Sequence, residues 1–571
     1  MAGGADGPTL LAGVDIGTTH TKAGIYRPDG TPVAQRQAAT PSDADGLRDT
    51  ALRLLAECVS AAPAPPLAVG LSSMAETGVP LDADGDPIGD LLHWRDRRAH
   101  READQIGETV GRAPFFAATG LHPSAKLPLA RWIWLRHHEP ERTRRMARWA
   151  SSADLVLAAL TGTLATSPTL AARTGTFDIR AMAYAPDLLD LAGLRPDQLP
   201  PVVAADRIAG RVTRATATRT GLPTGTPVVL AGHDHLAAAW AAGVRGPGRT
   251  ADSMGTAEAV LTPVAAVPAM PTEPTGISVG PFLDGRSYCL ISGLSSSGGL
   301  VDWWLERFAP PGCPDRYRWL TDLLGATTDP GPTGIVVQPY LHGRASPQPD
   351  PHRTLSFHGV RPEHRLADVG RAVLEGLCMQ VRWMLESQAT ISGQRPGTVA
   401  VFGGPTANSA WMRIKAAVMP VPVVVLPEHR SAVLGAAQLA GRAVGVEDRT
   451  PPHHRPGPPP RPTRRGRRRT GPGSCPWSPP PPRPAADETP CRWRSPATSR
   501  AAGLGVPDRP VRQNDRQNLV RKTRSRAWRT SQAVPRMMAL SCGDVVAPGC
   551  RPGPRNHCGT LSPPLRNVRV T

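Results

Sequence analysis

Two glycine-threonine turns, each after a strand-like apolar run and each led by an acid, constrain this chain most. They are Val14-Asp15-Ile16-Gly17-Thr18-Thr19 and Asp252-Ser253-Met254-Gly255-Thr256. Glycine lets a backbone turn tightly and approach a phosphate, while successive amides and hydroxyls donate to its oxygens. Asp15, at a strand end, is suited to a hydrated magnesium ion. Taken singly, either turn also reads as an ordinary hairpin, since Asp, Gly and Thr are common turn residues. Two of them in two halves suit a nucleotide clamped across a cleft. Between them lies Gly232-His233-Asp234-His235, where an acid near a helix start can accept a proton from an attacking hydroxyl. Taken alone, that tetrapeptide also reads as a metal cluster or, better, as a helix-capping Asp with flanking surface histidines.

Charge separates a body from a tail. Residues 451–571 hold 24 of the 66 Lys and Arg and 5 of the 47 Asp and Glu, so they carry the whole formal charge of +19. The first 450 residues balance, with 42 of each sign. The tail is rich in proline and arginine, as in Pro456-Gly457-Pro458-Pro459-Pro460 and Arg467-Arg468-Arg469, and lacks apolar periodicity. Such a composition cannot offset the entropy of ordering, so disorder is expected from about residue 447. It shows no groove-reading motif and little aromatic interleaving, which counts against nucleic acid as a partner. GC-rich coding read out of phase yields the same mixture, and that reading is preferred. The cysteines of the body, Cys58, Cys289, Cys313 and Cys378, lack C-x-x-C spacing, so neither a disulfide framework nor a zinc site is indicated. No apolar run is long enough to span a bilayer and no charged leader precedes the first strand, so a cytoplasmic body with no membrane partner is expected.

Along the body, strands are predicted at Leu10 to Ile16, Thr21 to Tyr26, Pro32 to Gln35, Leu67 to Leu71 and Pro227 to Leu230. Helices are predicted at about 46 to 61 and 127 to 138. A second set begins near residue 250, with strands at Ser287 to Ile291, Gly334 to Leu341, Val399 to Phe402 and Val421 to Leu426. Its helices fall at Leu300 to Phe308 and at about 366 to 388, 408 to 418 and 431 to 443. Mixed elements in two halves predict a two-domain α/β protein with a ligand between the halves.

These loops, in this order and spacing, resemble the FGGY carbohydrate kinases, which phosphorylate sugars and polyols with ATP. The likeness runs from about Leu11 to Gly445. It includes Lys126 to Leu135, the run from Phe357-His358-Gly359-Val360 to Glu375, Gly403-Gly404 with Asn408, and Gly298 five residues before Trp303. Leu355 departs from the pattern, where a small residue is usual. The resemblance implies an α/β fold of two ribonuclease-H-like, actin-like ATPase domains around a central cleft, followed by the disordered tail. It divides the chain into a sugar-side domain (1–243), a nucleotide-side domain (244–446) and the tail (447–571).

Carried over by position, the resemblance makes Asp234 the general base and Asp15 the residue serving Mg2+. Gly17, Thr18, Thr19, Gly255 and Thr256 would contact the phosphates of ATP. Gly298, Gly403, Gly404 and Asn408 would line the adenosine pocket. Glu76, Trp94 and Asp96, with Asp234, would meet a small-molecule sugar or polyol, the acids accepting from hydroxyls and the indole stacking on a ring face. Ala75, where glycerol-specific members have Arg, argues against glycerol, and the absent Met-His pair weakens xylulose. A homo-oligomeric state stays open. Family members usually continue past the alanine-rich helix at Leu434 to Val444, where this tail begins, so a kinase damaged at its C-terminus is one alternative reading. An ATP-dependent switch without a sugar site is the other.

Overall fold

The computed structural model describes residues 8–269, 275–325, 331–426 and 431–449. The expected tail beyond 449 lies outside the described residues, as do 427–430, between the predicted strand Val421 to Leu426 and the predicted helix 431 to 443.

The first half begins with the meander expected from its alternating apolar residues, β1 (Leu11–Ile16), β2 (His20–Tyr26) and β3 (Pro32–Ala39). Helix α1 (Ala44–Ser60) follows, its amino end capped by the Asp43 carboxylate accepting from Gly46 N–H. Strand β4 (Val69–Ser73) is followed by helices α2 (Pro128–His138) and α3 (Ser152–Thr161), and strands β5 (Gly210–Arg211) and β6 (Pro227–His233) complete the first sheet. Its order is β3-β2-β1-β4-β6-β5, with β1, β4 and β6 parallel. Helix α4 (Asp234–Ala241) leaves the end of β6.

The second half repeats this plan. Strands β7 (Arg249–Met254), β8 (Glu258–Val264), β9 (Ser278–Pro281), β10 (Tyr288–Leu294), β11 (Thr398–Phe402) and β12 (Val423–Val425) form a sheet ordered β9-β10-β8-β7-β11-β12. An antiparallel β7-β8-β10 meander is extended by the parallel strands β11 and β12. Setting aside the edge strands β5 and β9, both sheets share one order, three meander strands followed by two parallel ones. Helices α5 (Gly298–Phe308), α6 (Leu366–Ser392), α7 (Ser409–Val418) and α8 (Ala432–Ala443) belong to this half.

Helix α8 is buried from Ala432 to Gly441. Its small residues let backbone meet backbone: a Cβ on Gly13 of β1 would lie 2.0 Å from the Val433 carbonyl oxygen. One on Gly70 of β4 would lie 1.9 Å from that of Ala436, and one on Gly435 1.9 Å from that of Ala237 in α4. The last described helix therefore seals the first sheet and braces α4, which carries Asp234. Among the described residues no helix is long and apolar enough to cross a membrane.

Candidate active site

Parallel strands deliver their carboxyl-terminal loops to one edge of a sheet, where ligands of open α/β sheets bind. Here β1, β4 and β6 end at Ile16, Ser73 and His233, in register through the pairs Ile16 with Ser73 and His233 with Ser73. That register gathers Asp15, Glu76 and Asp234. Ser72 Oγ donates to Asp15 Oδ1 at 2.8 Å across the β1-β4 pair. Burial, then the charge of Asp234, pushes the Asp15 carboxyl up to about 7. Burial also lifts Asp234 to about 7, assisted by Glu76 and opposed by the His235 backbone N–H, which donates to Asp234 Oδ1 at 2.6 Å.

Asp234 is the first residue of α4 and not its cap; the cap position is His233, whose side chain makes no capping bond. Gly232 has φ +85°, and a Cβ there would lie 2.0 Å from Thr169 Oγ1, which also accepts the His233 N–H at 3.0 Å. The turn carrying the acid is thus fixed from behind. His233 Nε2 lies 3.3 Å from Asp234 Oδ1, and burial, then His235, then Arg173 hold the His233 imidazole neutral. His235 Nδ1 lies 3.2 Å from Ser253 Oγ on β7, a polar contact from the first half to the second.

Glu76 adopts φ +55°, an uncommon backbone conformation for a side-chain-bearing residue. Buried Arg131 on α2 holds this backbone by donating to the carbonyls of Glu76, Leu92 and Lys126. Burial would raise the Glu76 carboxyl, but Arg173 and Lys126 outweigh it and hold it at about 2. Arg173 Nε donates to Glu76 Oε1 at 2.9 Å and Lys126 Nζ lies 3.5 Å from it. Glu76 is therefore the centre of an ion cluster. Neither Arg173 nor the pairing of Lys126 was expected from sequence, and no local motif marks them.

Trp94 Nε1 donates to Thr18 Oγ1 at 2.9 Å, joining the expected sugar-side indole to the first Gly-Thr turn. Gly17 N–H donates to the His20 carbonyl at 3.1 Å, and the Gly17 carbonyl accepts from Thr40 Oγ1 at 2.8 Å; the Thr19 carbonyl accepts the Thr40 N–H at 3.0 Å. Asp96 pairs with Arg98 at 2.6 Å, which orients its carboxylate.

In the second half, Gly255, Thr256, Gly298, Gly404 and Asn408 line one cavity of about 750 Å³. Gly255 and Thr256 form the β7-β8 hairpin, and Gly298 opens α5 with its N–H on the Gly255 carbonyl at 2.9 Å. A Cβ on Gly298 would lie 2.6 Å from that carbonyl oxygen, so only glycine permits the approach. Gly403, at φ +112°, brings the end of β11 onto β7, where a Cβ would lie 1.8 Å from the Met254 oxygen. Asn408 caps α7 through Oδ1, which accepts from Trp411 N–H at 2.9 Å. Five residues separated by up to 153 positions in the chain thus converge on one cavity.

A divalent cation fits beside Asp15: its carboxyl, raised by burial and by the charge of half-buried Asp234, gives with that acid an oxygen-rich site suited to Mg2+. His233, Asp234 and His235 also bring three ligand-type atoms within 4.8 Å. Imidazoles suit softer metals than Mg2+, and Arg173 and Lys126 both add positive charge around the two histidines.

The raised Asp15 has a stability consequence. The metal-free folded state keeps a proton that the unfolded chain releases between pH 4 and 7, so stability falls as pH rises through that window. Asp15→Asn removes this cost at a rate of about 1.4 kcal/mol per pH unit per proton. In EDTA, the melting temperature of the variant should exceed that of wild type at pH 7 and approach it at pH 4. A pH-independent difference would contradict the raised carboxyl.

Comparison with known proteins places the chain among related sequences. Residues 10–241 match the model of the FGGY family of carbohydrate kinases, N-terminal domain, and residues 251–444 match its C-terminal domain. A xylulose kinase of Streptomyces coelicolor is 30% identical over 460 residues, covering 78% of this chain and 90% of the relative. A gluconokinase of Bacillus licheniformis is 24% identical, over 77% of this chain and 88% of the relative. The crystal structure of xylulose kinase from Rhodospirillum rubrum superposes with a TM-score of 0.70 at 28% identity, covering 76% of this chain and 90% of that one.

Proposed function

Because the chain belongs to the FGGY family of carbohydrate kinases, which transfer a phosphoryl group from ATP to a sugar or polyol, we propose that Asp234 is the general base. The carrying observation is its position: an acid at the start of α4, held at the strand-end edge beside Asp15 and near Glu76. Its raised proton affinity suits a base that must take a proton from an alcohol near neutral pH.

The remaining roles are proposed with it, from the family pattern and the placement of these residues. ATP occupies the 750 Å³ cavity, with Gly298, Gly403, Gly404 and Asn408 around the adenosine. Gly255 and Thr256 hold its phosphates from one side, and Gly17, Thr18 and Thr19 from the other. Asp15 holds Mg2+, which when bound neutralises charge on the transferring phosphate. The acceptor lies against Trp94, Glu76 and Asp234. Arg173 and Lys126 keep Glu76 ionised, so it accepts hydrogen bonds from hydroxyls and cannot donate them. Asp96, its carboxylate oriented by Arg98, is proposed to accept from an acceptor hydroxyl as well. Phosphoryl transfer needs positioning and charge neutralisation more than covalent groups, and these residues supply both. The acceptor is a ketose, a polyol or a sugar acid, the range named among the relatives.

The test is ADP release by the full-length chain with Mg-ATP and a panel of ketoses, polyols and sugar acids. Strong stimulation by one compound is expected and identifies the acceptor. A basal rate unchanged by every compound would contradict the proposal.

A further inference from the structure

Lys415 has no part in the site as described, yet it is wholly buried on α7, the helix that Asn408 of the cavity caps. Its ammonium donates to Asp252 Oδ2 on β7 and to Glu258 Oε1 on β8, the strands that flank the Gly255-Thr256 hairpin. Both carboxylate side chains are also fully buried. Glu258 spans further: its other oxygen accepts from Ser297 Oγ at 2.5 Å. Ser297 N–H in turn donates to the Thr256 carbonyl at 2.9 Å, and Gly298 and Gly299 N–H groups close on the carbonyls of Gly255 and Thr256.

Three walls of the cavity therefore meet at one cation. Helix α7, whose first turn is capped by Asn408, supplies the ammonium; the hairpin strands supply two carboxylates; and the amino end of α5 is reached through Glu258 and Ser297. A lysine in a protein core is costly unless fully paired, and one that is paired fixes the geometry of its partners.

We propose that Lys415 is a positioning residue for the nucleotide, holding the phosphate-binding hairpin in register with the adenosine wall through Glu258 and Ser297. The proposal rests on the nucleotide reading of the cavity. It predicts a selective defect. Misplacing the hairpin against α7 weakens ligands that engage both walls and spares those that touch only the adenosine side.

Dissociation constants for ATP and for adenosine on the full-length chain test it, with Lys415→Met and Ser297→Ala as variants. Each variant should weaken ATP about tenfold while changing adenosine less than about twofold. Lys415→Met leaves two buried carboxyls without their cation; if it does not fold, Ser297→Ala, which removes one hydroxyl and no charge, decides alone. Equal losses for both ligands indicate a merely structural role and overturn the proposal, as does an unchanged ATP constant. Wild type separates the two ideas. If ATP binds no better than adenosine to the unaltered chain, the nucleotide reading of the cavity fails. If wild type shows that preference and Ser297→Ala keeps it, the positioning role fails.

Discussion

Asp234→Asn should lower kcat by about 10² to 10⁴-fold while leaving the dissociation constant for ATP within about twofold of wild type. The amide preserves shape and still accepts the His235 N–H through its oxygen, so the start of α4 keeps its local geometry. What it loses is a basic oxygen for the acceptor proton. ATP affinity is spared because the cavity lined by Gly255, Gly298, Gly404 and Asn408 does not include Asp234. Steady-state kinetics with a saturating acceptor, paired with calorimetric ATP binding, separates the two quantities. A variant with substantial turnover would move the base elsewhere, and one that loses ATP affinity would place Asp234 among the nucleotide contacts.

The second large effect concerns stability. Gly70→Val should destabilise the protein by ~3 kcal/mol or more, the upper range for forcing bulk into a packed core. The first added carbon alone would lie 1.9 Å from the Ala436 carbonyl oxygen and 2.4 Å from its carbon. Both belong to the backbone of α8, so no side-chain rotation relieves the clash. Displacing α8 would also disturb Gly13 on β1 and Ala237 on α4, which meet the same helix at similar distances. A fall in melting temperature of roughly 6 to 12 °C is expected at the sensitivity of a domain of this size. A change of Ala12 to Gly, buried on β1 in a cluster that holds no residue of α8, gives the comparison for mere loss of packing. An unchanged melting temperature for Gly70→Val would mean that α8 does not sit against β4 as described.

Much of this architecture was legible because apolar alternation and glycine turns act locally. The runs at Leu10 to Ile16 and Thr21 to Tyr26 are the paired strands β1 and β2, and the run after Gly299 is α5 from Gly298. The predicted helix at 366 to 388 extends to Ser392 and stops at Gly393, φ +67°. Leu355, an odd residue for its position in the family pattern, is partly buried against Ile335, Val337 and Ala372.

What stayed hidden was long-range and charged. Lys415 falls one turn after Trp411 and Met412, on the buried face of α7, where its charge reads as out of place until the tertiary placement of Asp252 and Glu258 pairs it. Arg131 and Arg173 likewise read as surface charges; one is fully buried against backbone carbonyls, the other paired with Glu76 across 97 residues of sequence. The alanine-rich sequence of α8 announces a helix but not its burial against β1, β4 and α4, because Gly13, Gly70 and Gly435 are linked only by the fold.

In a carbohydrate kinase the γ-phosphoryl group of ATP goes to a carbon-bound hydroxyl and not to water. Phosphorus NMR of the full-length chain with Mg-ATP and the acceptor that most stimulates ADP release follows that group directly. A phosphomonoester resonance should grow in step with the loss of ATP, with little inorganic phosphate. Inorganic phosphate as the sole product, at a rate indifferent to the acceptor, would contradict that transfer and make the cleft that of an ATP-driven switch.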